Sequence, residues 1–243
     1  DEEIASADLA NVIIDAINSS YGTFRLGLTT GTSPVTLYRE LVRRHKAGDV
    51  SFANVEIFSI DEYYPAPAPS HGSSEKSRTK SVLLSYNSRK RQSVNFNGEI
   101  DETPRIAITM GISTMLTAKR IILIAWGEDK AEIVRKIVEE KISPECPASY
   151  LQRHENISFY VDENSASLLT RNVAPWLVGP CEWTPKFVRK AVVWLCEKLH
   201  KPILKLTQGD YLSNGLGELL EKIDSYDQIN IKVFNDLQHT ISG

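Results

Sequence analysis

The sequence predicts an α/β fold with a mostly parallel central sheet, followed by a smaller C-terminal α/β extension. Two observations predict the sheet: a strand, a turn, a helix and a second strand follow one another over residues 24–60, and a strand–helix–strand order returns over residues 121–162. A third predicts the extension, because a segment rich in Pro and Trp begins after Asn172. We therefore expect one domain over 1–172 and the extension over 173–243.

The first half of the chain is typical of one strand–helix–strand unit. Apolar residues recur at helical spacing near the start, and a short apolar strand then leads into a turn rich in Thr and Gly. Pro34 suits the first turn of the next helix, where its missing N–H costs nothing, and Ser33 is the expected N-cap. The predicted elements are a helix over 3–19, a strand over 24–28, a helix over 34–46 and a strand over 55–60.

The second half repeats this order and then changes. The unbroken apolar run over 121–126 is expected of a strand that is buried on both faces. Thr184 is the expected cap of a helix with Pro185 at its first position. The predicted elements are strands over 121–126, 157–162 and 229–234, and helices over 128–140, 164–171, 184–199 and 217–223.

Composition excludes several classes of protein. Hydrophobic residues make up 42% and charged residues 24%, as in ordinary globular proteins, and the net charge of −3 gives no basic surplus for nucleic acid or an anionic membrane. No apolar run approaches the roughly 18 residues of a membrane span. Three cysteines without a metal-binding pattern predict reduced, partly buried thiols in a cytoplasmic protein. The acidic start lacks the basic residues of a secretory signal, and the absence of an initiator Met predicts further residues upstream.

The first candidate site is the turn made of Thr30, Gly31, Thr32 and Ser33. Between a strand and a helix, such a turn offers backbone N–H groups and hydroxyls at the positive end of the helix, which suits a phosphate. No Gly-Lys-Thr/Ser follows it and it is not GxGxxG, so neither a P-loop nor a dinucleotide fingerprint is present. An ordinary βα turn is the alternative interpretation.

Two further candidates follow strands. Asp61 and Glu62 come at the carboxyl end of the second strand, where they could supply a base and its neighbour, although consecutive strand residues point to opposite faces. Lys130 follows the buried strand and could reach a phosphate as a point charge. Ordinary solvated charges are the alternative for all three. Because carboxyl ends of parallel strands share one edge of a sheet, the candidates together predict a small phosphorylated ligand.

The sequence resembles the glucosamine-6-phosphate deaminase family, which is related to the 6-phosphogluconolactonases, and within it a longer branch that has a C-terminal extension. The matching segments are 26–34, 55–64, 72–74, 77–80, 104–111, 121–130 and 147–152. The resemblance implies a Rossmann-like three-layer domain. It also implies a cytoplasmic enzyme, without metal or cofactor, that converts glucosamine 6-phosphate and water into fructose 6-phosphate and ammonia.

The resemblance further implies roles for the candidate residues. Asp61, with Glu62 beside it, would be the base that moves a proton between C2 and C1 through an enediol-like species. The turn over 30–33 would cradle the substrate phosphate, and Lys130 would neutralise it.

In allosteric members of the family a Ser-Ser pair and nearby basic residues bind an effector between subunits. Ser73, Ser74 and Lys80 keep part of that pattern, whereas Val82 stands where another Lys is usual. Effector binding is therefore one expectation, and assembly into a homo-oligomer stays open.

The sequence departs from the family in two further places. The family loop that carries a ring-opening His is absent, and Gly72 follows His71 directly. We therefore expect a further stretch, with a central strand, between His71 and Gly72. His71 is not taken as the ring-opening His. Val94 stands where the family has a phosphate-binding Arg. Arg89 and Arg91 could replace that Arg or be solvated charges.

Three functions follow from these patterns. Residues 61–63 and 148–152 favour the deaminase, and a 6-phosphogluconolactonase-like hydrolase is an alternative on the same scaffold. A non-catalytic sugar-phosphate sensor is favoured by Val94 and by the absent His loop. Some long members carry a deacetylase-like domain downstream, so the chain is also expected to be the front part of a longer protein.

Overall fold

The computed structural model describes residues 1–63 and 78–241 of the 243-residue chain. It divides into two compact units, Asp1–Ser167 (unit 1) and Leu168–Gly243 (unit 2). The domain boundary expected at 172/173 stays a prediction. Among the described residues, none of the helices combines the length and apolar content that crossing a bilayer requires.

Unit 1 contains the strands that the sequence predicts over 24–28, 55–60, 121–126 and 157–162, together with three strands and two short helices that it does not predict. Its strands are β1 (Phe24–Leu28), β2 (Val55–Ser59), β3 (Asp61–Tyr63), β4 (Lys80–Leu83), β5 (Ile106–Thr109), β6 (Ile121–Ala125) and β7 (Ile157–Val161). Its α-helices are α1 (Glu2–Asn18), α2 (Val35–Lys46), α3 (Tyr86–Gln92), α4 (Ile112–Met115) and α5 (Ala131–Glu139).

The strands of unit 1 form three small sheets within the described residues. β1 pairs in parallel with β2, in register Leu28 to Ser59, and β6 pairs in parallel with β7. Between these pairs in sequence, β3 and β4 flank β5 in an antiparallel sheet. The predicted parallel strands are therefore present, but they lie in separate pairs.

One apolar layer covers both parallel pairs. α1 begins at its N-cap Asp1, whose carboxylate accepts from the Ile4 N–H, and its buried face joins that of α2. The buried members of this layer are Leu9, Ala10, Ile13, Ile14, Ile17, Leu37, Leu41 and Val50. Strand residues that pack against it include Phe24, Leu26, Val55, Ile122, Ile124 and Tyr160. Each fully buried aliphatic side chain stabilises the fold by about 1.5–3 kcal/mol, so the layer fixes all four strands relative to one another.

Unit 2 is helical in its described residues, which corrects the prediction of an α/β extension. Its helices are α6 (Thr170–Val173), α7 (Pro185–Leu199), α8 (Gln208–Ser213), α9 (Gly217–Lys222) and α10 (Tyr226–Ile241). The strand predicted over 229–234 is wrong, because those residues lie inside α10. Ile229 and Val233 are buried four residues apart while Ile231 is exposed, which is helical spacing.

Smaller differences concern helix ends. Thr184 caps α7 as predicted, with Pro185 at the first position. Pro34, not Ser33, is the N-cap of α2, and it makes no side-chain capping bond. The helix predicted over 164–171 is displaced to Thr170–Val173 (α6), because the preceding residues form turns in which the Asp162 carboxylate accepts from the Ser165 N–H. Residues 128–130 form a single 3₁₀ turn before α5.

A buried hydrogen-bond pair ties α8 to α10 in unit 2. The Tyr211 hydroxyl donates to Asn230 Oδ1 at 2.7 Å, and Asn230 Nδ2 donates to the Leu206 carbonyl at 3.0 Å. Tyr211 is fully buried, and burial raises the pKa of its phenol above the ordinary range.

We expect Tyr211→Phe to lower the free energy of unfolding of unit 2 by about 1–3 kcal/mol, because it leaves the buried Asn230 carbonyl without its donor. Urea titration followed by tryptophan fluorescence measures this change, since Trp176, Trp183 and Trp194 all lie in unit 2. Tyr21→Phe, at a fully exposed position, is the control and should leave the midpoint unchanged. Equal midpoints for both variants would contradict the assignment.

Candidate functional site

The predicted base and the predicted phosphate turn are in direct contact. β1 and β2 run side by side and end together, so the turn after β1 lies next to the segment after β2. The Thr30 hydroxyl donates to Asp61 Oδ2 at 2.7 Å, and the Thr30 N–H donates to Asp61 Oδ1 at 3.4 Å. One residue of the turn therefore fixes both oxygens of the Asp61 carboxylate.

Asp61 stands where the chain passes from one sheet to another. The Ile60 N–H donates to the Leu28 carbonyl of β1, and the Ile60 carbonyl accepts from the Met110 N–H that follows β5. Ile60 thereby ties the parallel pair to the antiparallel sheet immediately before Asp61. The carboxylate is thus held on a rigid junction rather than on a free loop, which is what a positioned proton-transfer group requires.

The end of β6 is fastened to the same turn. Trp126, which follows β6 and is buried, donates its Nε1–H to the Ser33 carbonyl at 2.8 Å. Gly127 comes next in the left-handed region, with φ of 88°, where a side chain would be strained. This bond connects the segment that leads to Lys130 with the turn over 30–33.

Asp162 at the end of β7 supports the Gly127 backbone. Its Oδ1 accepts from the Gly127 N–H at 3.1 Å and from the Ser165 N–H at 2.9 Å. Burial alone would raise the pKa of Asp162, but the hydrogen bonds from Ser165 and Gly127 outweigh it and hold that pKa below its ordinary value. An ionised Asp162 therefore fixes the loop that carries Lys130, a role that sequence reasoning missed.

Two cations meet at Asp129 beside this loop. Lys130 Nζ pairs with the Asp129 carboxylate, and Arg91 Nη2 of α3 lies 3.7 Å from Asp129 Oδ2. The hydrogen bond from Lys130 is the main cause that lowers the pKa of Asp129, and the charge of Arg91 adds to it. Arg91 and Lys130 therefore both lie close to the Asp129 carboxylate.

The two arginines considered from sequence differ in their surroundings. Arg89 donates from Nε to the Thr103 carbonyl at 3.2 Å and from Nη2 to the Ile100 carbonyl, so it fastens a loop. Gln92, the last residue of α3, lies beside the turn, since a Cβ built on Gly31 would stand 3.8 Å from Gln92 Nε2. Gln92 also escaped sequence reasoning, because nothing in the 86–92 pattern indicates where α3 docks.

Other predicted site residues lie at different places. Glu62 is in β3 opposite Ile108. Lys80 is in β4 and shares with Asp61 the register partner Thr109 of the central strand, so the two occupy one row across the antiparallel sheet. Ser73 and Ser74, like His71 and the junction before Gly72, lie outside the described residues.

Comparison with known proteins gives a consistent set of relatives. No protein-family model matches the chain. A glucosamine-6-phosphate deaminase of Corynebacterium aurimucosum is 30% identical over 232 residues, covering 67% of this chain and 91% of the relative. The enzyme of the same name from Rhodopirellula baltica is 29% identical over 239 residues, covering 70% of this chain and 94% of the relative.

A longer relative reaches beyond unit 1. A glucosamine-6-phosphate deaminase-like protein of Bacteroides thetaiotaomicron is 38% identical over 287 residues, which takes in 90% of this chain. The chain spans only 43% of the length of that relative. The aligned stretch exceeds the 243 residues of the chain, so the relative has residues without a counterpart here.

Solved structures share the fold. A monomeric glucosamine-6-phosphate deaminase, described as a missing link of the NagB superfamily, has a TM-score of 0.63 at 28% identity and covers 69% of this chain and 97% of its own. The devB protein has a TM-score of 0.50 at 15% identity, covering 69% and 95%, and at that identity shows the fold alone. These likenesses confirm the predicted Rossmann-like α/β fold.

We expect Trp126→Phe to loosen the turn over 29–34, because the substitution keeps most of the buried ring surface but removes the donor to the Ser33 carbonyl. The loss corresponds to about 1 kcal/mol. Hydrogen–deuterium exchange of peptides covering the turn measures it and should show faster exchange than in the wild-type protein. Phe58→Leu on exposed strand surface is the control. Unchanged exchange in Trp126→Phe would show that the bond does not hold the turn.

Proposed function

The chain belongs to the glucosamine-6-phosphate deaminase family, and from that premise we propose that it converts glucosamine 6-phosphate and water into fructose 6-phosphate and ammonia. The observation that carries the proposal is the contact between Asp61 and Thr30. It sets a carboxylate base against a turn suited to phosphate, and Trp126 bonds the segment that leads to Lys130 to the same turn. A sugar phosphate needs both parts, one at its reacting carbons and one at its phosphoryl end.

Asp61 is the base of the proposed reaction. After ring opening, the carboxylate takes the C2 proton, electrons shift through an enediol-like species, and the proton is returned at C1. C2 is then an imine carbon, to which water adds as ammonia leaves, so the sum is one water consumed and one ammonia released. Thr30 aims the carboxylate by holding both of its oxygens.

The phosphate takes the other half of the site. Backbone N–H groups of Gly31, Thr32 and Ser33 stand ahead of α2, where the helix dipole favours an anion. Lys130 supplies the opposing charge. The phosphate lies away from the reacting carbons and takes no part in the chemical step, but the energy of its binding positions those carbons.

The remaining site predictions belong to the same proposal. Glu62 would neighbour the base, and Ser73, Ser74 and Lys80 would bind a phosphorylated effector. A cytoplasmic location is proposed as well, in keeping with three free cysteines, Cys146, Cys181 and Cys196.

We expect Asp61→Asn to lower the rate of ammonia release from glucosamine 6-phosphate by about 10²–10⁴-fold, because the amide cannot accept the C2 proton. Affinity for the sugar phosphate should change little. Steady-state ammonia release and calorimetric binding measure the two quantities separately. Asp101→Asn, at a side chain that is 91% exposed, is the matched control and should retain full activity.

The same assay separates the alternatives. Full activity in Asp61→Asn would remove Asp61 from the role of base. A folded wild-type protein that binds the sugar phosphate without releasing ammonia would be a sensor. One that instead hydrolyses 6-phosphogluconolactone would be a lactonase.

We expect Thr30→Val to reduce kcat about tenfold, since valine keeps the shape of threonine but cannot donate to Asp61 Oδ2 at 2.7 Å. Thr30→Ser retains the hydroxyl and should restore most of the lost rate. Initial-rate kinetics on both variants checks this, and kcat should fall more than KM rises. If Val and Ser behave alike, the hydroxyl has no part in aiming the base.

A further inference from the structure

Asp129 lies between two cations that approach it from different elements. Lys130 comes from the 3₁₀ turn after β6, and Arg91 comes from α3. Both reach Asp129 Oδ2, whereas Oδ1 lies over Gly127, 3.2 Å from where a Cβ on that glycine would stand. A single carboxylate oxygen thus faces two positive groups.

This cluster adjoins the turn over 30–33. Gln92, the residue after Arg91, borders Gly31, and Trp126, three residues before Asp129, is bonded to the Ser33 carbonyl. The segments that carry the two cations therefore also adjoin the turn.

We propose that Arg91 is the second cationic ligand of the substrate phosphate, and that Asp129 is an internal counterion that occupies the place of a phosphate oxygen when the site is empty. This inference rests on the proposed function. Arg89 and Arg91 both lie near Val94 in the sequence. The Arg89 guanidinium donates to two backbone carbonyls, so Arg91 is the better candidate.

The exposure of the cluster suits a displaceable contact. The side chains of Arg91 and Asp129 are 67% and 62% exposed, so their ion pair is screened by water and contributes little to folding. Lys130 is 25% exposed and is held more firmly. Phosphate can therefore displace the Asp129 carboxylate at small cost and pair with the two cations at once.

Charge decides which anions benefit. With Asp129 ionised, Lys130, Arg91 and Asp129 together carry one net positive charge. They attract an anion only weakly until the Asp129 carboxylate moves away from the two cations. A phosphate dianion gains enough from two cations to displace it, because charge-assisted contacts to Arg and Lys are the strong ones. A monoanion gains less, so Asp129 should favour phosphate over singly charged anions.

The test measures binding of inorganic phosphate by titration calorimetry at low ionic strength, on the full chain. Arg91→Gln should weaken binding about three- to tenfold, and Asp129→Asn should strengthen it by a similar factor. Arg91→Gln should weaken binding more in the Asp129→Asn background than in the wild type, because Asp129 no longer neutralises Arg91. Arg43→Gln, equally exposed and paired with Glu40, and Asp101→Asn are the matched controls.

The outcomes separate this inference from the proposed function. Phosphate affinity in Arg91→Gln equal to that in Arg43→Gln, or no gain in Asp129→Asn, overturns the inference even if the protein releases ammonia. The expected pattern in a protein that releases no ammonia supports the inference and refutes the deaminase. Thermal melts exclude unfolding as the cause, since both side chains are exposed and carry little of the core.

Discussion

The site depends on the burial of α1 against both parallel strand pairs. Leu9, Ile13 and Ile17 form part of one apolar layer that holds residues of β1, β2, β6 and β7. β1 and β2 end side by side, and the segments that follow them carry Thr30 and Asp61, while Lys130 follows β6. Packing brings these segments close together, and hydrogen bonds such as that from Trp126 to the Ser33 carbonyl then fix their positions.

The same packing shows where unit 1 is incompletely covered. Ile57 and Phe58 of β2 are consecutive residues, so they point to opposite faces, yet they are 57% and 46% exposed. Strands of parallel sheets are ordinarily buried on both faces. Among the described residues β1 pairs only with β2, and β6 only with β7. The predicted extra stretch between His71 and Gly72 would be a natural source of the missing strand and cover, and it stays a prediction.

Periodicity predicted β1, β2, β6 and β7 and the helices α1, α2 and α5, but it gave no sign of β3, β4, β5, α3 or α4. It failed over 229–234, where apolar and polar residues alternate as they do in a strand. The segment is helical, and the polar Asn230 is buried there because it bonds to the Tyr211 hydroxyl. Asp61 and Lys130 could be named from their places after strands. Asp162 and Gln92 could not, because their importance comes from contacts with Gly127 and Gly31 that are distant in sequence.

Thr30 links the two halves of the site, and this link has a consequence for specificity. Its hydroxyl and N–H hold Asp61, while its backbone continues directly into the residues proposed to cradle phosphate. In the proposed reaction, an anion bound in the turn would contact the segment that contains Thr30, the residue proposed to orient the Asp61 carboxylate. A ligand in which the distance between the phosphate and the reacting carbons is different would bind in the turn without placing those carbons at Asp61. Under the proposed function, discrimination among sugar phosphates would rest on a distance that Thr30 fixes rather than on the number of cations around the phosphate.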